Sequence, residues 1–129
     1  EPNGRRCTCG GRGCLEAEAS GPAIEAITGR SPTQPTYEIM VRTGRLVGRG
    51  VVSVCNLLDL KLVVVGGSVA LGFGATFFNA AQRTLDELCT IEFSRKARIV
   101  PTRLSDEGPL IGASAVGWRG LNRMATVHD

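Results

Sequence analysis

Apolar residues recur along this chain with two different periods, and the switch between them outlines its elements. From Cys14 to about Ile27, the text LEAEASGPAIEAI carries apolar positions at helical spacing, and Gly29 supplies a C-terminal stop. Gly21-Pro22 interrupts that pattern, which predicts a kink or two short helices. Ser31 to Pro35 holds two prolines and reads as a linker. A longer helix is then expected from an N-cap at Thr36 to about Leu58. Met40, Gly44, Val47, Val51, Val54 and Leu58 alternate spacings of four and three, marking one buried stripe. Gly44 and Gly48 are poor helix formers, so their presence points to another backbone close by. Arg42, Arg45 and Arg49 fall on the solvated side.

Leu62 to Val65 is short, uninterrupted and β-branched, as expected of a strand covered on both faces. It runs into Gly66-Gly67-Ser68, and a helix is expected from about Ala75 to Cys89. Ala97 to Pro101 reads as a second short strand, and Arg103 to Gly108 as a polar turn. Pro109 suits the first turn of a last helix reaching about Met124. The small residues at its middle, Gly112 to Gly117, imply close packing, and 125–129 read as a frayed tail. Helix, helix, strand, helix, strand, helix is an α/β order.

Composition narrows the class. The chain has 129 residues, about one domain, with 43% hydrophobic and 21% charged residues, the balance of a soluble globular protein. A net charge of +3 comes from arginines spread along the chain, so no nucleic-acid stripe forms. No apolar run approaches the ~20 residues of a membrane span, and no signal peptide is visible. Five cysteines, an odd number, argue against a complete disulfide framework. Cys55 and Cys89 lie in apolar text and read as small core hydrophobes. A reducing cytoplasm suits them and the other three.

Those three carry the most chemistry. Cys7, Cys9 and Cys14 fall within eight residues, framed by Gly10, Gly11 and Gly13, and glycine lets so short a loop turn its sulfurs onto one ion. Structural zinc takes four N or S ligands. The spacing C-x-C-x4-C offers only three, and His128, the one histidine, lies in the tail and is a poor fourth. A zinc loop whose fourth ligand lies outside the chain accounts for the pattern better than three idle thiols. Glu16 follows at the start of a helix, where the dipole alone favours a carboxylate, so its placement by the loop is what gives it interest. The Val65-Gly66-Gly67-Ser68 turn ends a buried strand and opens toward a helix, where α/β proteins hold nucleotides. It is neither a P-loop nor a Rossmann pattern.

Together these segments resemble the ROK family of sugar kinases and sugar-responsive repressors. CTCGGRGCLE follows that family's C-x-C-G-x-x-G-C-x-E pattern at every fixed position. VVVGGSVALG is similar to its strand-Gly-Gly segment near the adenosine of ATP, and LSDEGPLIGASAVG to the segment opening its closing helix. The resemblance implies an actin-like (ribonuclease H-like), two-lobed ATPase fold. It also implies transfer of the γ-phosphoryl of ATP, with magnesium, to a hexose or related sugar. Cys7, Cys9 and Cys14 are then three of four zinc ligands, and Glu16 reaches a sugar hydroxyl. Gly66, Gly67 and Ser68 line the nucleotide side; the family more often has a third Gly where Ser68 stands.

The departures are all N-terminal: the E-x-G-H segment with the fourth ligand, the catalytic Asp and the D-x-G phosphate loop are missing from this sequence. Phosphoryl transfer needs both walls of its cleft. The resemblance thus implies a C-terminal lobe with no catalytic residue of its own, inactive without its N-terminal lobe and belonging to a protein that tends to dimerise. Within it, 1–14 form the cysteine loop, 15–61 a helical segment and 62–129 the nucleotide-side segment with the closing helix. A glucokinase-like kinase is the first expectation. The sugar-binding body of a repressor, which alone would bring in nucleic acid, is the second, and a metal-binding interaction domain the third.

Overall fold

In a computed structural model that describes residues 1–125, the order is α1 (Leu15–Ala19), α2 (Gly21–Thr28), α3 (Tyr37–Leu58), β1 (Leu62–Val65), α4 (Ser68–Leu88), β2 (Arg98–Pro101), a 3-10 turn (Ser105–Glu107) and α5 (Gly108–Ala125). The expected tail, with His128, lies outside the described residues beyond Ala125.

Local chemistry sets most of these boundaries. The predicted interruption produces two helices, because Ser20 ends α1 and caps α2, its Oγ accepting from the Ala23 N–H at 3.3 Å. Thr36 caps α3 through Ile39 N–H at 3.4 Å. Gly29 ends α2 at φ 66°, a left-handed geometry that glycine adopts at little cost. Asp59, at φ 51°, does the same for α3 without that ease. The fourth helix starts earlier than expected, at Ser68, and breaks at Gly74 (φ 58°, ψ −142°), so Ala75 marks the restart rather than the beginning.

β1 and β2 pair in parallel, Leu62 opposite Arg98 and Val65 opposite Pro101, with α4 as the crossover. The outer edge of β2 is closed by a side chain: Gln82 of α4 accepts from Ile99 N–H at 2.8 Å and donates to Ala97 O at 3.2 Å. β1 is not covered on both faces as expected. Val63 and Val65 pack inward, while Leu62 and Val64 are each 57% exposed, because helices cover one face of the sheet only.

The core lies between α3, α4 and the sheet. Val51, Val52, Cys55, Ala81, Leu85, Cys89, Ala97 and Ile99 form one cluster. Ile24, Ile39, Ala70, Phe73 and Phe77 form a second, and Val47, Val65 and Phe78 join the two. Both core cysteines are buried as expected. The buried stripe of α3 is rotated from the expected one: Ile39, Thr43, Gly44, Gly48, Val51, Val52 and Cys55 are inside, and Val54 and Leu58 are exposed. Gly48, with no apolar bulk, sits where α4 comes close, and Thr43 is buried with its hydroxyl donating to the Ile39 carbonyl. The small residues of α5 do not mark close packing either. Among the described residues its main packing is on the 3-10 turn before it, and a Cβ at Gly112 or Gly117 would meet nothing within 4 Å.

Gly44 and Gly48 do face another backbone. A Cβ at Gly44 would lie 2.4 Å from the Phe77 carbonyl oxygen, and one at Gly48 2.6 Å from that of Ala81. Gly44→Ala should therefore lower unfolding stability by about 1–3 kcal/mol, overpacking outweighing a helix-propensity gain of about 1 kcal/mol. Gly50 of the same helix has its nearest contact at 3.7 Å, so Gly50→Ala should be neutral or stabilising. Equal denaturation midpoints for the two variants would count against a backbone contact at Gly44.

Candidate functional site

The cysteine loop is closed by its own backbone. Cys7 N–H donates to Gly11 O at 2.9 Å, Gly10 N–H to Cys7 O at 3.0 Å, and Gly13 N–H to Arg5 O at 2.9 Å. Arg6 and Arg12 face each other as an antiparallel bridge. The tight return uses left-handed backbone at Gly10 (φ 89°) and Gly13 (φ 64°), which no other residue takes as readily. A Cβ at Gly13 would also collide with the Glu1 carbonyl.

The sulfurs of Cys7, Cys9 and Cys14 all lie within 4.8 Å of one another, with Cys9 and Cys14 at 3.5 Å. Tetrahedral zinc with Zn–S near 2.3 Å spaces its sulfurs about 3.8 Å apart. The three thiols therefore fit three corners of a zinc site. Among the described residues no fourth Cys, His, Asp or Glu joins them. The thiols share protons unequally. Gly11 N–H, helped by the neighbouring thiols, lowers the pKa of Cys9, while hydrogen bonding to Cys9 and then Cys7 pushes Cys14 up to about 11.

Cys14 leads directly into α1, which carries Glu16 in its first turn. Glu16 is exposed and lines an open groove of about 400 Å³. The opposite wall is Gly66, Gly67 and Ser68, and Thr43, Val47 and Phe77 contribute from α3 and α4. Gly67, at φ 101°, turns the chain from β1 into α4, whose first-turn N–H groups are not used within the helix. The structure thus brings Glu16 and the Gly-Gly-Ser turn, fifty residues apart in sequence, onto one cavity. The cysteine loop stays outside it, at the start of α1. A larger basin of about 700 Å³ lies along the arginine face of α3, and neither the Gly-Gly-Ser turn nor any cysteine lines it.

Sequence reasoning missed one member of this region. Glu18 is only 4% exposed and is the one buried side chain of α1. Its carboxylate accepts from Arg5 N–H at 2.6 Å and from Arg42 Nη2 at 2.5 Å, and Arg42 Nη1 donates to the Glu18 carbonyl at 2.8 Å. Arg42 is accordingly half-buried and paired, not solvated as expected. Helical geometry held the signal: residues two apart point to nearly opposite sides, so a groove-facing Glu16 turns Glu18 toward α3.

The ROK family model matches residues 1–118. The chain belongs to the ROK family. It is 32% identical over 130 residues to an N-acetylmannosamine kinase of Haemophilus influenzae, an alignment covering 88% of this chain and 41% of that protein. Among solved structures, a ROK family glucokinase from Streptomyces griseus in complex with glucose and AMPPNP matches with a TM-score of 0.72 at 21% identity, over 90% of this chain and 48% of that one. A ROK family transcriptional regulator, homologous to the E. coli MLC protein, matches with a TM-score of 0.65 at 21% identity, over 78% and 32%. The ROK chain therefore has a mixed α/β portion of the actin-like fold of these sugar kinases, and spans less than half the length of the relatives it matches. Glucokinases are not singled out, since N-acetylmannosamine kinases are among its similar relatives. No helix among the described residues is long and apolar enough to cross a membrane.

The Glu18 contacts in this ROK chain make a pH prediction. Arg5 N–H is the main cause of a carboxyl held below its ordinary value of 4.5; Arg42 adds to it and burial opposes it. A folded-state pKa below the unfolded one stabilises the fold above pH 4.5, and that contribution is lost as pH falls through the lowered value. The melting-temperature gap between the native chain and Glu18→Gln should be constant near neutrality and shrink as pH falls below 4.5. A gap that does not change with pH would show that Glu18 is not charged in the fold.

Proposed function

We propose that this chain is one lobe of an ATP-dependent sugar kinase, carrying the sugar-facing Glu16 on one wall of its groove and the nucleotide-side Gly66, Gly67 and Ser68 on the other. The observation that supports it most is that these two features share one cavity of about 400 Å³. Glu16 accepts a hydrogen bond from a sugar hydroxyl. Gly66 and Gly67 present bare backbone to the nucleoside, and Ser68 stands where the family more often has glycine. The general base and the phosphate loop come from the other lobe, along with the site for magnesium. Residues 1–14 form the metal loop, 15–61 the sugar-side helices, and 62–129 the nucleotide-side half with its closing helix.

Cys7, Cys9 and Cys14 would hold zinc, with a fourth ligand from outside this chain. Bound there, zinc supplies structural rigidity and no redox or acid–base step. The substrate we assign is a hexose or its N-acetylamino derivative, because the relatives include an N-acetylmannosamine kinase and a glucokinase solved with glucose. The same reading includes a homodimer in a reducing cytoplasm, where the thiols stay free for metal.

ADP release from ATP, measured on the two-lobed protein with N-acetylmannosamine and with glucose, tests this. Turnover with at least one sugar is expected. Sugar binding without ADP release would move the protein to the sugar-responsive regulators. A hydrogen bond to a charged group is worth about 1.5–3 kcal/mol, so Glu16→Ala should raise the sugar KM by about ten- to a hundredfold and leave the ATP KM nearly unchanged. Equal effects on both would make Glu16 a structural residue. Cys9→Ser should abolish zinc retention, measured by metal analysis after desalting, and sharply lower sugar phosphorylation. Full activity in metal-free Cys9→Ser protein would sink the zinc assignment.

A further inference from the structure

Short helices are normally held by apolar burial, yet α1 buries one side chain and it is a carboxylate. Leu15, its one large apolar residue, is 46% exposed. What fixes α1 is therefore the set of contacts at Glu18. One carboxylate oxygen takes the N–H of Arg5, two residues before Cys7, and the other takes Arg42 of α3. Arg42 also grips the Glu18 carbonyl, so its planar fork fixes both the side chain and the backbone of one residue. Arg5 in turn accepts from Gly13 N–H, the contact that closes the cysteine loop. A chain of hydrogen bonds thus runs from α3 through Glu18 and Arg5 to both ends of the loop. A side chain at Gly4 would meet Glu18 Oε1 at 2.5 Å, so nothing bulkier than glycine fits beside the carboxylate.

We infer that Glu18, anchored by Arg42, is the positioning residue that sets the pose of Glu16 and holds the cysteine loop shut. Glu16 lies two residues earlier on the same five-residue helix, so any rotation of α1 that Glu18 prevents is one that would swing Glu16 along the groove wall. The inference rests on the kinase reading for the role of Glu16, and on geometry alone for the loop. Desolvating this carboxylate is costly, and a buried ion pair adds little net stability beside a well-packed apolar pair of similar size. Placement is what its fork of hydrogen bonds supplies instead. Glu16 touches sugar in this scheme, and Glu18 acts only through it.

The test uses Glu18→Gln and Arg42→Met in the two-lobed protein, with three readouts. Amide hydrogen exchange at Arg5 and Gly13 should speed up at least about tenfold in both variants while that at Val51 and Leu85, in the core, stays as in the parent. Loss of a residue that orients metal ligands typically weakens metal binding about 10–100-fold, and zinc transfer to a chromophoric chelator should show it. The sugar KM should rise about tenfold with the ATP KM within twofold of the parent. Unchanged exchange at Arg5 and Gly13 in folded Glu18→Gln protein overturns the inference. Equal rises in both KM values overturn the positioning of Glu16. If the parent phosphorylates no sugar, the kinase reading falls, and the exchange measurement still decides whether Glu18 holds the loop. Should Glu18→Gln fail to fold, Arg42→Met keeps the same three readouts.

Discussion

At Gly44 and Gly48 the backbone of α3 lies against the carbonyl oxygens of Phe77 and Ala81, closer than any side chain permits. The distance between α3 and α4 is consequently set by main chain, which repacking cannot adjust. Much else hangs on that distance. Thr43 and Phe77, which help line the groove, sit beside the contact, and the Gly66-Gly67 turn feeds directly into α4. Arg42 on α3 holds α1, and α1 carries Glu16. The two walls of the groove are thus attached to two helices whose separation is fixed by two glycines. Val47, Val65 and Phe78 then tie both halves of the core across the same crossing.

Features written in adjacent residues were legible in the sequence, and those written across distance were not. Thr36 announced a helix start because a capping hydroxyl acts within three residues, and Gly21-Pro22 announced the break between α1 and α2. The cysteine loop was legible for the same reason: glycines and thiols that cooperate lie within eight positions. The stripe of α3 was misjudged because Thr43 and Gly48 carry no apolar signal, and Gly48 is buried by the approach of α4 rather than by its own transfer energy. Pro109 placed the start of α5 correctly, yet its small residues do not mark close packing, and Cβ atoms at Gly112 and Gly117 would meet nothing within 4 Å. Glu18 and Arg42 are 24 residues apart, and each alone resembles an ordinary surface charge.

The thiols show how far local geometry can go toward a metal site. With three sulfurs inside 4.8 Å, hydrogen bonds to Cys9 and Cys7 drive Cys14 up to about 11, while the Gly11 N–H lowers the Cys9 value. The loop holds its shape through backbone hydrogen bonds. A divalent cation would stabilise all three thiolates and displace their protons, so affinity for it rises with pH. The loop's backbone contributes the convergence, and a cation would contribute the charge that convergence lacks.

Among the described residues lining the groove, Glu16 is the only one with a charged side chain; the others offer hydroxyls, backbone and apolar surface. That limits what the groove does. Phosphoryl transfer depends on cations and donors gathered around the moving phosphate, and a carboxylate repels that phosphate by about 1 kcal/mol at 4 Å even in water, and by more where water is excluded. On the proposed kinase reading, a nucleotide in this groove has its phosphates directed away from Glu16. A neutral sugar hydroxyl is the natural partner for the carboxylate. The opposite wall has a complementary character: bare glycine backbone and the N-terminal end of the short first segment of α4, residues 68–73, with no acidic side chain among the described lining residues. On that reading, one negative wall and one neutral-to-positive wall would sort an acceptor from a nucleotide before any catalytic group is in place, which is the part of phosphoryl transfer that depends on positioning alone.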